Sequence, residues 1–89
     1  MKSVLHPQFR KAFGGLPSDI REQARRAYRL FRDNPFHTSL HFKALQQNKP
    51  FYSVRINRNY RAVGLYDGDT IIWFWIGTHS EYDKLISQL

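Results

Sequence analysis

Apolar residues recur along the chain with two different periods, and each change of period marks an element. Between Pro17 and Pro35, Ile20, Ala24, Ala27, Tyr28 and Phe31 fall at i, i+4, i+7, i+8 and i+11, the spacing of one buried helix face. Pro17 suits the first helical position and Asp19 the first turn, near the helix's positive end. Arg21, Arg25, Arg29 and Arg32 fall on the opposite side, and Asp33-Asn34-Pro35 ends the helix. Upstream, residues 2–6 read as a short strand stopped by Pro7. Residues 8–13 read as a short helix with Phe9, Ala12 and Phe13 on one side, broken by Gly14-Gly15.

Beyond Pro35 the helical period stops. Residues 36–49 read as an irregular connection anchored by Leu40, Phe42 and Leu45. Three strands follow, "FYSVRIN" (Phe51–Asn57), "YRAVGLYD" (Tyr60–Asp67) and "TIIWFWIG" (Thr70–Gly77), with Asp67-Gly68-Asp69 a hairpin turn. The third is apolar on both faces, as in a central strand covered on both sides. With period two, either Phe74 or the Trp73/Trp75 pair faces the open side of the sheet. That side chain is a stacking platform for a base or is buried beneath a helix. Thr78 and Glu81 then have capping-box spacing, and Tyr82, Leu85, Ile86 and Leu89 repeat at i, i+3, i+4 and i+7. The elements predict one α+β domain over residues 1–89.

Composition narrows the class. With 89 residues the core is thin, since a chain of this length hides only about 60–65% of its unfolded surface. Seven Phe, five Tyr and two Trp offset this with large buried rings. The absence of cysteine excludes disulfides and thiolate metal sites and fits a reducing compartment. The longest apolar run, Ile71–Ile76, is far short of the roughly 20 residues a membrane span needs. "MKSVLHPQF" lacks the apolar segment of a signal peptide. These features predict a soluble, cytoplasmic protein without membrane partners. Fourteen Lys+Arg oppose seven Asp+Glu, a net charge of +7, which points to an anionic partner. The four histidines lack ligand-pair spacing and no carboxylate cluster accompanies them, so no metal or cofactor motif is present.

Candidate chemistry gathers where the last strand meets the last helix. His79 lies in the first turn, where the helix's partial positive charge favours the neutral imidazole and free backbone N–H groups attract anions. It is either a plain cap residue or a proton-transfer group beside an anion-binding corner. In "VRINRNYR", a three-residue loop (Arg58–Tyr60) sets Asn57 opposite Arg61, so Arg55, Asn57 and Arg61 share a face while Val54, Ile56 and Ala62 point into the core. Two guanidiniums on one face make a bidentate phosphate clamp. Lys43 and His41 lie just before the strands, within reach of a phosphate. Tyr82 shares the first turn with His79, either as a core residue or as a stacking and hydrogen-bonding partner.

With these residues placed, the chain resembles the RelE/ParE superfamily of type II toxin–antitoxin toxins. The resemblance spans nearly the whole length and rests on "LPSDIREQARRAYRLFRDNP", "FYSVRINRNYRAVGLYDGD" and "IGTHSEYDKLI". It implies a small, mostly antiparallel sheet with two N-terminal helices on one face, a basic concave face opposite, and a short C-terminal helix. "GTHS" is similar to the YafQ-like branch, whose matching histidine is catalytic. The RelE-like branch implies a ribosome-dependent endoribonuclease that cuts mRNA, with a cognate antitoxin as partner. Matched by motif, Arg61 is the transition-state arginine, His79 the proton-transfer histidine, and Arg55 another basic position. Lys43, His41, Asn57 and Tyr82 are then candidate RNA contacts. The ParE branch implies instead a protein that poisons DNA gyrase, and a non-catalytic basic binding module is a third reading.

Overall fold

The computed structural model describes residues 1–46 and 49–89. Along the chain come β1 (Lys2–Leu5), α1 (Pro7–Gly14), α2 (Ser18–Asp33), a 3-10 turn (Thr38–Leu40), β2 (Lys43–Ala44), β3 (Phe51–Arg55), β4 (Tyr60–Asp67), β5 (Thr70–Thr78) and α3 (His79–Gln88). The sheet order is β1-β5-β4-β3-β2, with β1 parallel to β5 and the other neighbours antiparallel. This is the α+β architecture expected, with α1 and α2 on one face.

Local chemistry sets the helix boundaries. His6 caps α1, its Nδ1 accepting from the Gln8 N–H at 3.0 Å, and Pro7 takes a first-turn position that needs no donor. Phe9 is buried, but Ala12 is exposed rather than packed, because Phe9 and Phe13 alone form the inward stripe. Pro17 is the cap of α2 and not its first helical residue: its backbone is extended (ψ 150°) and its carbonyl accepts from the Arg21 N–H at 2.9 Å. Arg21 departs from the exposed stripe as well. Its guanidinium donates to the Leu16 and Gly14 carbonyls at 2.9 and 3.3 Å, stapling the α1–α2 turn. Arg25, Arg29 and Arg32 are exposed as expected.

The predicted connection at residues 36–49 contains the 3-10 turn and the two-residue strand β2; residues 47–48 lie outside the described residues. Leu40 is fully buried, and Phe42 packs edge-on against Phe31 at 5.0 Å and beside Tyr52 at 5.1 Å. The Asp67-Gly68-Asp69 hairpin forms as read, with Gly68 at φ 64°, a backbone region that glycine enters without a Cβ clash.

Each sheet face has its own cover. Directly opposed residues share a face, so Val54, Ala62 and Ile76 form one row, packed with Phe9, Ala24 and Phe31 beneath α1 and α2. The rows Ser53–Val63–Trp75 and Arg55–Arg61–Gly77 face the other way. There the buried Tyr82 of α3 lies over the sheet, its hydroxyl donating to Ser53 Oγ at 3.0 Å and its ring 6.3 Å from Trp75. The two tryptophans therefore do not act as a pair. Between Val63↔Trp75 and Gly64↔Trp73 the register slips by one, leaving Phe74 as the extra residue of a bulge. Trp73 faces Phe31, at 5.3 Å, and Trp75 faces Tyr82. Phe74 meets Phe51 edge-on at 5.9 Å.

Candidate active site

Arg55 and Arg61 share a face, as the alternation predicts, but the register differs from expectation. Arg55 pairs directly with Arg61, and the β3–β4 connection is Ile56–Asn59, with Tyr60 already in β4. Asn57 thus lies in the turn rather than on the strand. Its side chain organises that turn: Oδ1 accepts from the Asn59 and Tyr60 N–H groups at 2.8 and 3.0 Å, and Nδ2 donates to Gln23 Oε1 at 2.7 Å. Asn57 is held by protein partners and is not presented with the arginines.

Opposed like charges destabilise a strand pair, so two arginines here need an external offset. Burial first, and then the neighbouring Arg55, draw the Arg61 pKa below the ordinary arginine value, while Tyr82 and Asp83 pull it the other way. An arginine so placed stays charged. One nitrogen, Nη1, donates to the Asn57 and Tyr60 carbonyls at 2.6 and 3.0 Å, fixing the guanidinium. Among the described residues no hydrogen bond is made by Nε or Nη2 of Arg61, and none by the Arg55 side chain. This is a fixed, half-buried cation with donors to spare.

His79 is brought to the same end of the sheet. Thr78 pairs with Tyr60 across β4 and β5, and the His79 N–H donates to the Asn59 carbonyl at 2.8 Å. The helix start forms as the T-x-x-E spacing predicts. Glu81 N–H donates to Thr78 Oγ1 at 3.2 Å, and Glu81 Oε1 accepts from the Thr78 N–H at 2.9 Å. Gly77 lets the chain make this corner, since a Cβ there would stand 2.8 Å from the Trp75 ring and 3.1 Å from Glu81 Oε1. The His79 side chain is 48% exposed; its Nδ1 lies 3.3 Å from Asp83 Oδ2, and its ring meets Tyr82 edge-on at 5.7 Å. Sequence reasoning missed Asp83, although its i, i+4 spacing from His79 was the available signal. Tyr82 is buried with its hydroxyl engaged by Ser53, so it seats the imidazole instead of meeting solvent.

The cap carries a pH signature. Hydrogen bonds from the Thr78 backbone, and then from its side chain, lower the Glu81 pKa. A depressed carboxylate contributes stability that is full above its unfolded value and is lost as pH falls through the folded value. Acid titration of stability is therefore expected to show a loss below about pH 4.5 that the Glu81→Gln variant lacks. Parallel acid curves for the two proteins would contradict that role.

The upstream candidates separate. Lys43 pairs with Ser53 on the edge strand, which sets it on the same face as Arg55 and Arg61, and it is exposed. His41 is exposed in the left-handed region (φ 46°) after the 3-10 turn, and among the described residues no hydrogen bond joins its side chain to the arginines. A cleft of about 580 Å³ runs beside the β3–β4 turn, lined by Gln23, Ala27, Leu40, Arg55, Asn57 and Arg58 among others. Among the described residues no group of three or more His, Asp or Glu side chains could hold a metal ion, and no helix is long and apolar enough to cross a membrane.

The ParE-like toxin domain family matches residues 18–84. The chain belongs to that family. Its fold is that of several solved toxins. A chain of the RelB–RelE antitoxin–toxin complex from Methanococcus jannaschii is 23% identical, with a TM-score of 0.72, over 91% of this chain and 96% of the other. The YoeB/ParE toxin from Agrobacterium tumefaciens is 18% identical, with a TM-score of 0.69, over 89% and 99%. A copper-bound mutant toxin from Helicobacter pylori is 24% identical, with a TM-score of 0.60, over 91% and 97%. Comparison with curated protein sequences gives no match. The match makes residues 18–84 a ParE-like toxin domain, and the chain has the fold of the RelE and YoeB/ParE toxins compared above.

Proposed function

We propose that this ParE-like toxin inhibits translation as a ribosome-dependent mRNA endoribonuclease. The observation that carries the reading is the meeting, at one end of the sheet, of a directly opposed arginine pair with a histidine held by a carboxylate. The ribose 2′-oxygen attacks the adjacent phosphorus as the 5′-oxygen departs, leaving a 2′,3′-cyclic phosphate. One proton leaves the 2′-hydroxyl and one reaches the 5′-oxygen; His79 performs one of these transfers, as in the YafQ-like branch its GTHS motif resembles. Arg61, fixed through Nη1, stabilises the phosphorane with its remaining donors, and Arg55 adds charge from the facing strand. Lys43 extends the basic face along the RNA. No step here needs a resident metal or cofactor. A cognate antitoxin is the expected partner, in line with the RelB–RelE complex, and the cytoplasm the expected site of action.

The test adds purified protein to a reconstituted translation reaction and maps mRNA 3′ ends by primer extension. Cuts that require the ribosome are expected. The ParE-like match supports a second reading, inhibition of DNA gyrase without RNA cleavage. Uncut mRNA together with inhibited supercoiling in a parallel gyrase assay would establish that reading; no effect in either assay would leave a basic binding module. The phosphate contacts also predict steep salt dependence. With about three cations engaging phosphates, the affinity for a single-stranded RNA should fall with a log–log slope near −2. A flat salt response would contradict those contacts.

A further inference from the structure

We propose that Gln23, on the helix α2 that lies across the sheet from the arginine pair, is a positioning residue for Arg61 and His79, acting through Asn57. The inference rests on the cleavage reading above and adds to it the device that sets the site's geometry. Gln23 is 34 positions from Asn57 in the chain, yet Asn57 Nδ2 donates to its Oε1 at 2.7 Å. The orientation of the Asn57 amide is fixed independently, because its Oδ1 accepts two backbone N–H groups at 2.8 and 3.0 Å. The amide nitrogen must therefore face Gln23, which must present an oxygen.

From Asn57 the restraint passes to both reacting groups. The Asn57 carbonyl accepts from Arg61 Nη1 at 2.6 Å. The Asn59 N–H is held by Asn57 Oδ1, and the Asn59 carbonyl in turn accepts the His79 N–H at 2.8 Å. One turn thus holds the arginine by its head and the histidine by its backbone, and one bond ties that turn to α2. Ile56 anchors the start of the turn on the core, so loss of this bond releases its Asn57–Asn59 part from the helix layer. Misplacement of a reacting group by about 1 Å costs on the order of 10²-fold in rate, so partial release of the turn reads as a smaller loss.

Gln23→Met keeps length and removes the acceptor; Gln23→Glu keeps the acceptor oxygen; Asn57→Asp keeps the turn's Oδ1 and removes the donor. For cleavage on the ribosome, Gln23→Met and Asn57→Asp are each expected to lower kcat about tenfold with KM unchanged. Gln23→Glu should restore most of it, and in an Arg61→Ala background Gln23→Met should cost less than it does alone, because only the His79 restraint is then left to lose. A second readout does not need cleavage: in Gln23→Met, amide exchange of the His79 N–H should accelerate and the NMR signal of the Arg61 Nε–H should shift or broaden. Unchanged exchange and an unchanged arginine signal would overturn the proposal whether or not the wild type cuts RNA. So would a kcat loss that Gln23→Glu fails to rescue, or one that adds fully to that of Arg61→Ala. If the wild type cuts nothing while these signals respond, the positioning device stands and the cleavage reading falls.

Discussion

His79→Ala is expected to slow ribosome-dependent cleavage by about 10²–10⁴-fold, the usual contribution of a placed proton-transfer group. Ribosome affinity and Tm should stay near wild type, because the imidazole is 48% exposed and its neighbour Asp83 is also exposed. Arg61→Ala should cost about 10²–10³-fold, the loss seen when one fixed donor to a developing oxyanion is removed. The two losses should not multiply, since residues that act on one transition state are strongly non-additive. Single-turnover rates for the two variants and the double variant check this. Wild-type rates in either single variant would remove that residue from the mechanism.

The largest effect on stability is expected at Trp73. It is 3% exposed, packs edge-on against Phe31 at 5.3 Å, and donates from Nε1 to Ser3 Oγ at 2.9 Å. It thereby joins α2, β5 and β1 in one contact. Trp73→Ala removes the ring and leaves a cavity, at a cost of about 3–5 kcal/mol. A domain of this size holds only about 5–15 kcal/mol in total, and each kcal/mol moves its Tm by roughly 4–8 °C. Urea and thermal unfolding should therefore show a loss of more than about ten degrees. A cost below about 1 kcal/mol would mean that the ring is not a core element.

These two residues also show where the sequence was legible. Helix α2 could be read because Ile20, Ala24, Ala27 and Phe31 repeat over about three turns, and the cap of α3 because Thr78 and Glu81 interact at fixed local spacing. The shared face of Arg55 and Arg61 followed from period two, which survives an even shift in register: Arg55 stands opposite Arg61 where Asn57 was expected. Period two failed in β5, where the bulge at Phe74 turns Trp73 and Trp75 to opposite faces. No local pattern announces an extra residue there. Strand β2 has two residues, too few to show a period. Asp83 was visible one turn after His79 but fitted an ordinary exposed position equally well. The Gln23–Asn57 bond is long-range and depends on the packing of α2 against the sheet's end, so no spacing in the sequence encodes it.

The proposed function requires that this end of the sheet cuts RNA. The most direct measurement identifies the 3′ ends of mRNA fragments from a translation reaction, by mass spectrometry, for wild type and His79→Ala. Fragments ending in 2′,3′-cyclic phosphate with the wild type, and intact mRNA with His79→Ala, are the predicted result. Fragments ending in a 3′-hydroxyl, or intact mRNA with both proteins while gyrase is inhibited, would contradict it.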